Sequence, residues 1–110
     1  MIRTALDKYA SLGLQLQITE LDVSLYDPLY KGMELKAPLP DLLKMQEDYY
    51  GRIFELFREY RDVITGVTFW GPADDVTWLN NFPVRGRKNW PLIFDDDHKP
   101  KAAFYSVISK

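Results

Sequence analysis

Residues 14–23 read LQLQITELDV, an aliphatic and β-branched run that closes on two acids, Glu20 and Asp22. The run reads as a strand. Acids are poor strand formers, and a strand entering a protein core is a costly place for charge. Successive strand side chains alternate between faces, so the two carboxylates are expected on one face. Both stand at the C-terminal end of the strand, where α/β proteins keep their chemistry. A plainer reading competes: acids at a strand end simply meet solvent.

The flanking sequence decides what kind of strand this is. Upstream, Ile2, Leu6, Tyr9 and Ala10 form one helical stripe, and Gly13 is placed to end that helix. Downstream, Asp27-Pro28 breaks the strand. A connection over about 24–40 follows, punctuated by Pro28, Gly32, Pro38 and Pro40. Long connections of this sort in compact domains are often functional. Asp41 is a candidate cap for a second helix. In that helix Leu42, Met45, Tyr49, Ile53, Leu56, Phe57 and Tyr60 recur at three- and four-residue spacing, opposite a charged face. VITGVTFW (63–70) is a second strand, ended by Gly71-Pro72. A second long loop, about 71–99, holds Trp78, Trp90 and the basic run RGRK, and Pro100 precedes a last helix, KAAFYSVI. Strands alternating with helices indicate an α/β fold with parallel strands. Two such strands leave unpaired edges and need cover on both faces. They read as a slice of a larger sheet or barrel, with both long loops on the side where a barrel keeps its active site.

Composition narrows the function classes. The chain has 110 residues, 46% of them apolar and 27% charged, with 16 acids against 14 Lys and Arg. The net charge of -2 argues against a phosphate-backbone binder, so no nucleic-acid partner is expected. No apolar run approaches the roughly 20 residues of a spanning helix, and no membrane partner is expected. MIRTALDKYASLG lacks the continuous apolar stretch of a signal peptide, and the compartment stays open between a cytoplasmic and a secreted parent. Cysteine is absent, which excludes thiol nucleophiles and disulfides. His98 is the one histidine, so no His–His metal site is available within the chain. Asp95, Asp96 and Asp97 lack the spacing of a calcium loop and read as a turn before the last helix. No metal and no cofactor are expected.

Aromatic residues make up 15% of the chain, and two of them stand where a ligand would meet them. Trp70 ends the second strand, either as core or as the wall of a pocket. Trp78 sits in a polar loop among Asp74, Asp75, Asn80 and Asn81, a setting that suits a sugar ring: C–H groups on the indole, hydroxyls on carboxylates and amides. Arg85, Arg87 and Lys88 form a local basic cluster. It could meet substrate hydroxyls, but reads more simply as a solvated loop paired with Asp95, Asp96 and Asp97.

ITELDV, GVTFWGPADDVTWL, NWPLIFDDDHKPKAAF and the helix QEDYYGRIFELFREY, in this order and spacing, closely resemble the C-terminal part of glycoside hydrolase family 10 xylanases. The likeness runs from about residue 2 to 108, within one segment spanning 1–110. It implies a segment of a TIM (β/α)8 barrel, about two βα units, with ITELD as the seventh strand and TFWG as the eighth. It implies retaining endo-hydrolysis of β-1,4-xylosidic bonds, with xylan or a xylooligosaccharide as partner. Glu20 matches the catalytic nucleophile, and Asp22 matches the acid that fixes a histidine holding it. Trp70 and Trp78 match the indoles around the sugar before the scissile bond. Arg85 and Lys88 fall in the loop bordering that site.

The resemblance also implies what is missing. The acid/base glutamate, in a NE motif, and the histidine that Asp22 should hold come from earlier strands. A complete barrel needs about 250 residues. Asp74 and Asp75 are the local candidates for a second carboxylate, on the wrong side of the family's cleft. The expectation is a segment inactive alone, completed by a complementary barrel fragment or by self-association. The alternatives are a non-catalytic carbohydrate-binding segment and a self-assembling one.

Overall fold

Ile2–Ser11 forms helix α1, closed by Gly13 in the left-handed region at φ 74°. A Cβ would strain that conformation, and glycine carries none. The computed structural model describes residues 2–26, 35–82 and 84–108. The expected breaks at Asp27, Pro28 and Gly32 lie outside the described residues. After α1 come strand β1 (Leu16–Leu21), helix α2 (Pro40–Glu59), strand β2 (Ile64–Phe69), a 3-10 turn at Trp78–Asn80 and helix α3 (Ala102–Ile108). β1 and β2 pair in parallel. The order and the parallel pairing match the reading of the sequence, and β1 is shorter at both ends than the run quoted above.

Helix α2 begins differently from the expectation. Pro40, not Asp41, opens it, and Leu39 precedes it with extended backbone and no side-chain cap. Proline's fixed φ is suited to the first helical position, where its missing N–H costs nothing. Asp41 then lies in the first turn, where its charge favours the helix dipole. The buried stripe is also rotated from the expected one. Gln46, Tyr50, Ile53 and Phe57 face inward, whereas Met45 and Tyr49 stand 64% and 48% exposed. Gln46 is drawn in because its Nε2 donates to two loop carbonyls, Val23 O at 3.0 Å and Trp90 O at 2.7 Å.

The core lies on one face of the strand pair. Tyr50, Ile93, Ala103 and Val107 pack with Leu21, Phe54, Phe69 and Phe104. Phe54 stacks on Phe69 with centroids 5.9 Å apart, joining α2 to β2. Tyr50 is fully buried and donates its hydroxyl to Pro91 O at 2.5 Å. Burial pushes that hydroxyl far above the usual tyrosine range, so it stays a neutral donor. Gln17 and Thr19 on β1, with Thr65 and Thr68 on β2, are exposed.

The loop after β2 folds back onto the end of β1. Asn89 Oδ1 accepts from Leu25 N at 3.0 Å, and its Nδ2 donates to Ser24 Oγ at 2.8 Å. Val23 N donates to Pro91 O at 3.0 Å. The turn that starts this loop is tight. Gly71 has φ 141°, and a Cβ there would lie 2.7 Å from Val76 O and 2.9 Å from Leu92 Cδ1. Gly71→Ala is therefore expected to lower stability by about 2 kcal/mol, from strained backbone and a clash with fixed main chain. Urea unfolding of a complete barrel carrying the change checks this; an unchanged midpoint refutes the close approach.

Candidate active site

Glu20 does not sit in regular strand. Ile18 is opposite Val67 and Leu21 opposite Phe69, so Thr19 and Glu20 together face Thr68. This is a bulge, and Glu20 takes the left-handed conformation at φ 58°. Such a conformation is costly for a residue with a Cβ, and bulges near active sites re-aim side chains. The expected simple alternation therefore does not set the direction of Glu20. The two acids remain electrostatic neighbours nonetheless. The Asp22 carboxyl is held above its usual range, first by burial and then by the charge of Glu20, against a hydrogen bond from Trp78 that pulls it down.

That bond is the feature sequence reading missed. Trp78 Nε1 donates to Asp22 Oδ2 at 2.8 Å, across 56 residues of chain. Trp78 stacks on Phe82, with centroids 5.0 Å apart at 27°. No local pattern signals a contact between the ends of two different strand–loop units.

Trp70 follows β2 directly, and its N–H donates to Leu21 O at 2.9 Å, which continues the ladder beside the acids. Its indole is 46% exposed, so it is not a core residue of the described chain. Trp70 and Trp78 line one open groove of about 420 Å³ with Asp75, Thr77, Asn80 and Asn81. A second cavity of about 370 Å³ lies between α2 and the start of α3, lined by Trp90 but not by Trp70 or Trp78, and neither Glu20 nor Asp22 lines either space.

The polar neighbours are less available than their sequence positions suggest. Asp74 is buried, accepting from Leu92 N at 2.7 Å and lying 2.9 Å from Lys101 Nζ. Asn80 donates to Asp74 O at 3.1 Å and accepts from Asn89 N at 2.9 Å. Asp75 lines the groove but lies 2.9 Å from His98 Nε2. Neither aspartate stands as an uncommitted second carboxylate.

The basic cluster separates into three fates. Arg87 is buried, not solvated as expected, with its guanidinium 3.9 Å from the centre of the Tyr26 ring. Lys88 pairs with Asp96 at 2.8 Å, as the solvated-loop reading anticipates. Arg85 is exposed and does not line the groove. Asp95 accepts from the N–H groups of Asp97 and Lys99, which makes the acidic run a turn. Among the described residues no cluster of three His, Asp or Glu could hold a metal ion.

The sequence of residues 1–110 matches the family model described as "Glycosyl hydrolase family 10" along its whole length. The chain belongs to glycosyl hydrolase family 10. An endo-1,4-beta-xylanase of Geobacillus stearothermophilus is 55% identical over 108 residues, which are 98% of this chain and 33% of that protein. Endo-1,4-beta-xylanase B of Paenibacillus barcinonensis is 50% identical over 109 residues, 99% of this chain and 33% of that protein. Among solved structures, a mutant in complex with xylotriose superposes with a TM-score of 0.96 at 50% identity, covering 99% of this chain and 33% of that one. The chain thus spans about a third of the length of the family 10 relatives it matches. Its fold is a segment of the family's TIM (β/α)8 barrel, about two βα units.

Proposed function

We propose that residues 1–110 supply the nucleophile side of a retaining endo-1,4-β-xylanase. One observation carries the reading: Glu20 lies at the end of strand β1 and Asp22 just after it, and Asp22 accepts from the Trp78 indole, which with Trp70 lines an open groove. Glu20 attacks the anomeric carbon of a xylosyl unit as the glycosidic C–O bond breaks, forming a glycosyl-enzyme ester. The leaving oxygen takes its proton from an acid/base group on a facing strand, and water then cleaves the ester with that group as base. Retaining chemistry needs the two carboxyl groups roughly 5–5.5 Å apart. Asp74 and Asp75 are committed to Lys101 and His98, so the acid/base group comes from outside this chain. Trp70 and Trp78 flank the sugar, and Asp22 orients the nucleophile's surroundings. Of the two cations expected to border the site, Lys88 reaches substrate only by leaving Asp96, and Arg85 has the freer position.

Among the described residues β1 and β2 pair only with each other, and with the exposed Met45, Tyr49 and Ile2 this supports a partner that completes the barrel. That partner is a complementary barrel segment or further copies of this chain. The purified chain alone is expected to release no reducing sugar from xylan, and co-expression with the complementary two thirds of a family 10 barrel is expected to give activity. Activity of the isolated chain, abolished by Glu20→Gln, would show that it needs no partner. Binding of xylooligosaccharide with no activity in the completed barrel would favour a non-catalytic binding segment.

A further inference from the structure

The bond between Trp78 and Asp22 has no counterpart in sugar stacking. An indole that only walls a groove needs its ring, not its N–H. Here the ring rests on Phe82 while the N–H is spent on Asp22 Oδ2 at 2.8 Å. Among the described residues Trp78 Nε1 is the donor to that carboxylate, and it sets the carboxylate's orientation there. Asp22 in turn is the charged neighbour of Glu20, and Glu20 sits on a bulge with a left-handed backbone. We propose that Trp78 is a positioning residue for the nucleophile, acting through Asp22, in addition to forming the wall of the groove. This rests on the functional reading above and assigns the indole N–H a task distinct from the indole face.

The physical argument is electrostatic and geometric. Two like charges at the end of one strand repel, and each is stabilised only by donors placed on its far side. The charged or titratable groups around Asp22 are Glu20 from its own strand and Tyr50 from α2, with the Trp78 N–H from the loop after β2. Tyr50 stays neutral, since burial raises its hydroxyl far out of the working range. Among the described residues the Trp78 N–H is the donor that opposes both burial and Glu20 in keeping Asp22 ionised, and in a complete barrel it acts beside the histidine that the family resemblance sets against the same carboxylate. It also turns the Asp22 carboxylate toward the loop. A sugar that seats on the indole face would hold the same ring whose edge holds Asp22, so substrate binding and nucleophile placement share one side chain.

Trp78→Phe separates the two tasks, because it keeps an aromatic face and removes the donor. In a complete barrel carrying residues 1–110, it is expected to lower kcat about tenfold while KM changes by less than about threefold. The acid limb of the pH–kcat/KM profile is expected to move up by about half a pH unit or more, as Asp22 loses the bond that favours its charged form. Added to Asp22→Ala, Trp78→Phe is expected to cost little further, since both changes break one link. A rise in KM with kcat and the acid limb unchanged would overturn the proposal, as would additive losses. A second readout does not depend on activity. The Trp78 indole N–H resonance of the same barrel should shift on Asp22→Asn and titrate with the Asp22 carboxyl; an indole signal blind to both refutes the bond itself. An inactive wild-type barrel that still shows this titration would refute the xylanase reading while leaving the Trp78–Asp22 link standing.

Discussion

Glu20→Gly should remove at least about 10⁴-fold of xylan hydrolysis from a complete barrel and make the same protein more stable. The first half follows from the role assigned to the carboxylate. Losing a nucleophile leaves only binding and the remaining electrostatics, and losses of this order or larger are what such deletions give. The second half follows from the backbone. Glu20 occupies φ 58° on a bulge, a conformation that costs a residue with a Cβ about 1–2 kcal/mol. Glycine pays none of that strain but gains freedom in the unfolded chain, so the net gain is about 0.5–1 kcal/mol. Glu20→Gln separates the two effects. It keeps the Cβ and the strained backbone, so activity should vanish with no gain of that kind. It also removes the charge that helps to raise Asp22, so the Asp22 carboxyl should titrate lower than in the wild type. Thermal unfolding and hydrolysis assays on the three proteins give the comparison. A glycine variant no more stable than the glutamine variant would show that the bulge is not strained.

That strain was invisible in the sequence, whereas the strand was not. The aliphatic run before Glu20, the turn glycines and the prolines announce where elements begin and end, because local periodicity and backbone restriction act within a few residues. The parallel strand pair follows from alternation of element types. Glu20, Asp22 and Trp70 could be singled out because acids and an indole at strand ends are chemically conspicuous, and Trp78 because an indole stands out in a polar loop. What local pattern cannot carry is long-range commitment. Arg87 and Lys88 are neighbours in one basic run, yet one lies buried against Tyr26 and the other pairs with Asp96. Asp74 and Asp75 are adjacent, yet one is buried under the loop and the other lines the groove. The inward turn of Gln46 depends on carbonyls of two separate loops. Each outcome is decided by where a distant segment lands, and the sequence holds no local record of it. The same is true of the bulge, which exists only relative to the register of β2.

The largest stability effect should come from the pair that pins the loop carrying Trp78. Asp74 is 1% exposed and lies 2.9 Å from Lys101 Nζ, whose side chain is 11% exposed. Burial dominates both groups: it holds the Asp74 carboxyl above its usual range and the Lys101 ammonium below its own, with their mutual attraction only partly offsetting it. The two shifts act in opposite pH windows. A raised Asp74 contributes stability below its unfolded pKa that is lost as pH rises through the folded value; a lowered Lys101 contributes stability that appears as pH rises past its folded value. Between the two, where both groups are charged, the pair costs desolvation, and each charge is tolerable only because the other is there. Asp74→Asn keeps the acceptor for Leu92 N and removes only the charge, leaving the buried Lys101 ammonium its bond to Trp90 O and the weaker pull of Asp95 and Asp96. Lys101→Met does the converse. Either change is expected to cost about 3–5 kcal/mol, and a Tm about 10 °C lower in a complete barrel. The double variant should lose clearly less than the sum, because replacing both members of a buried pair removes the desolvation cost along with the attraction. Asn80 donates to Asp74 O, so the single variants should also loosen the segment that presents Trp78 and raise KM for xylooligosaccharide. Additive losses in Tm would mean that the two charges do not depend on each other, and that the loop is held by its backbone bonds instead.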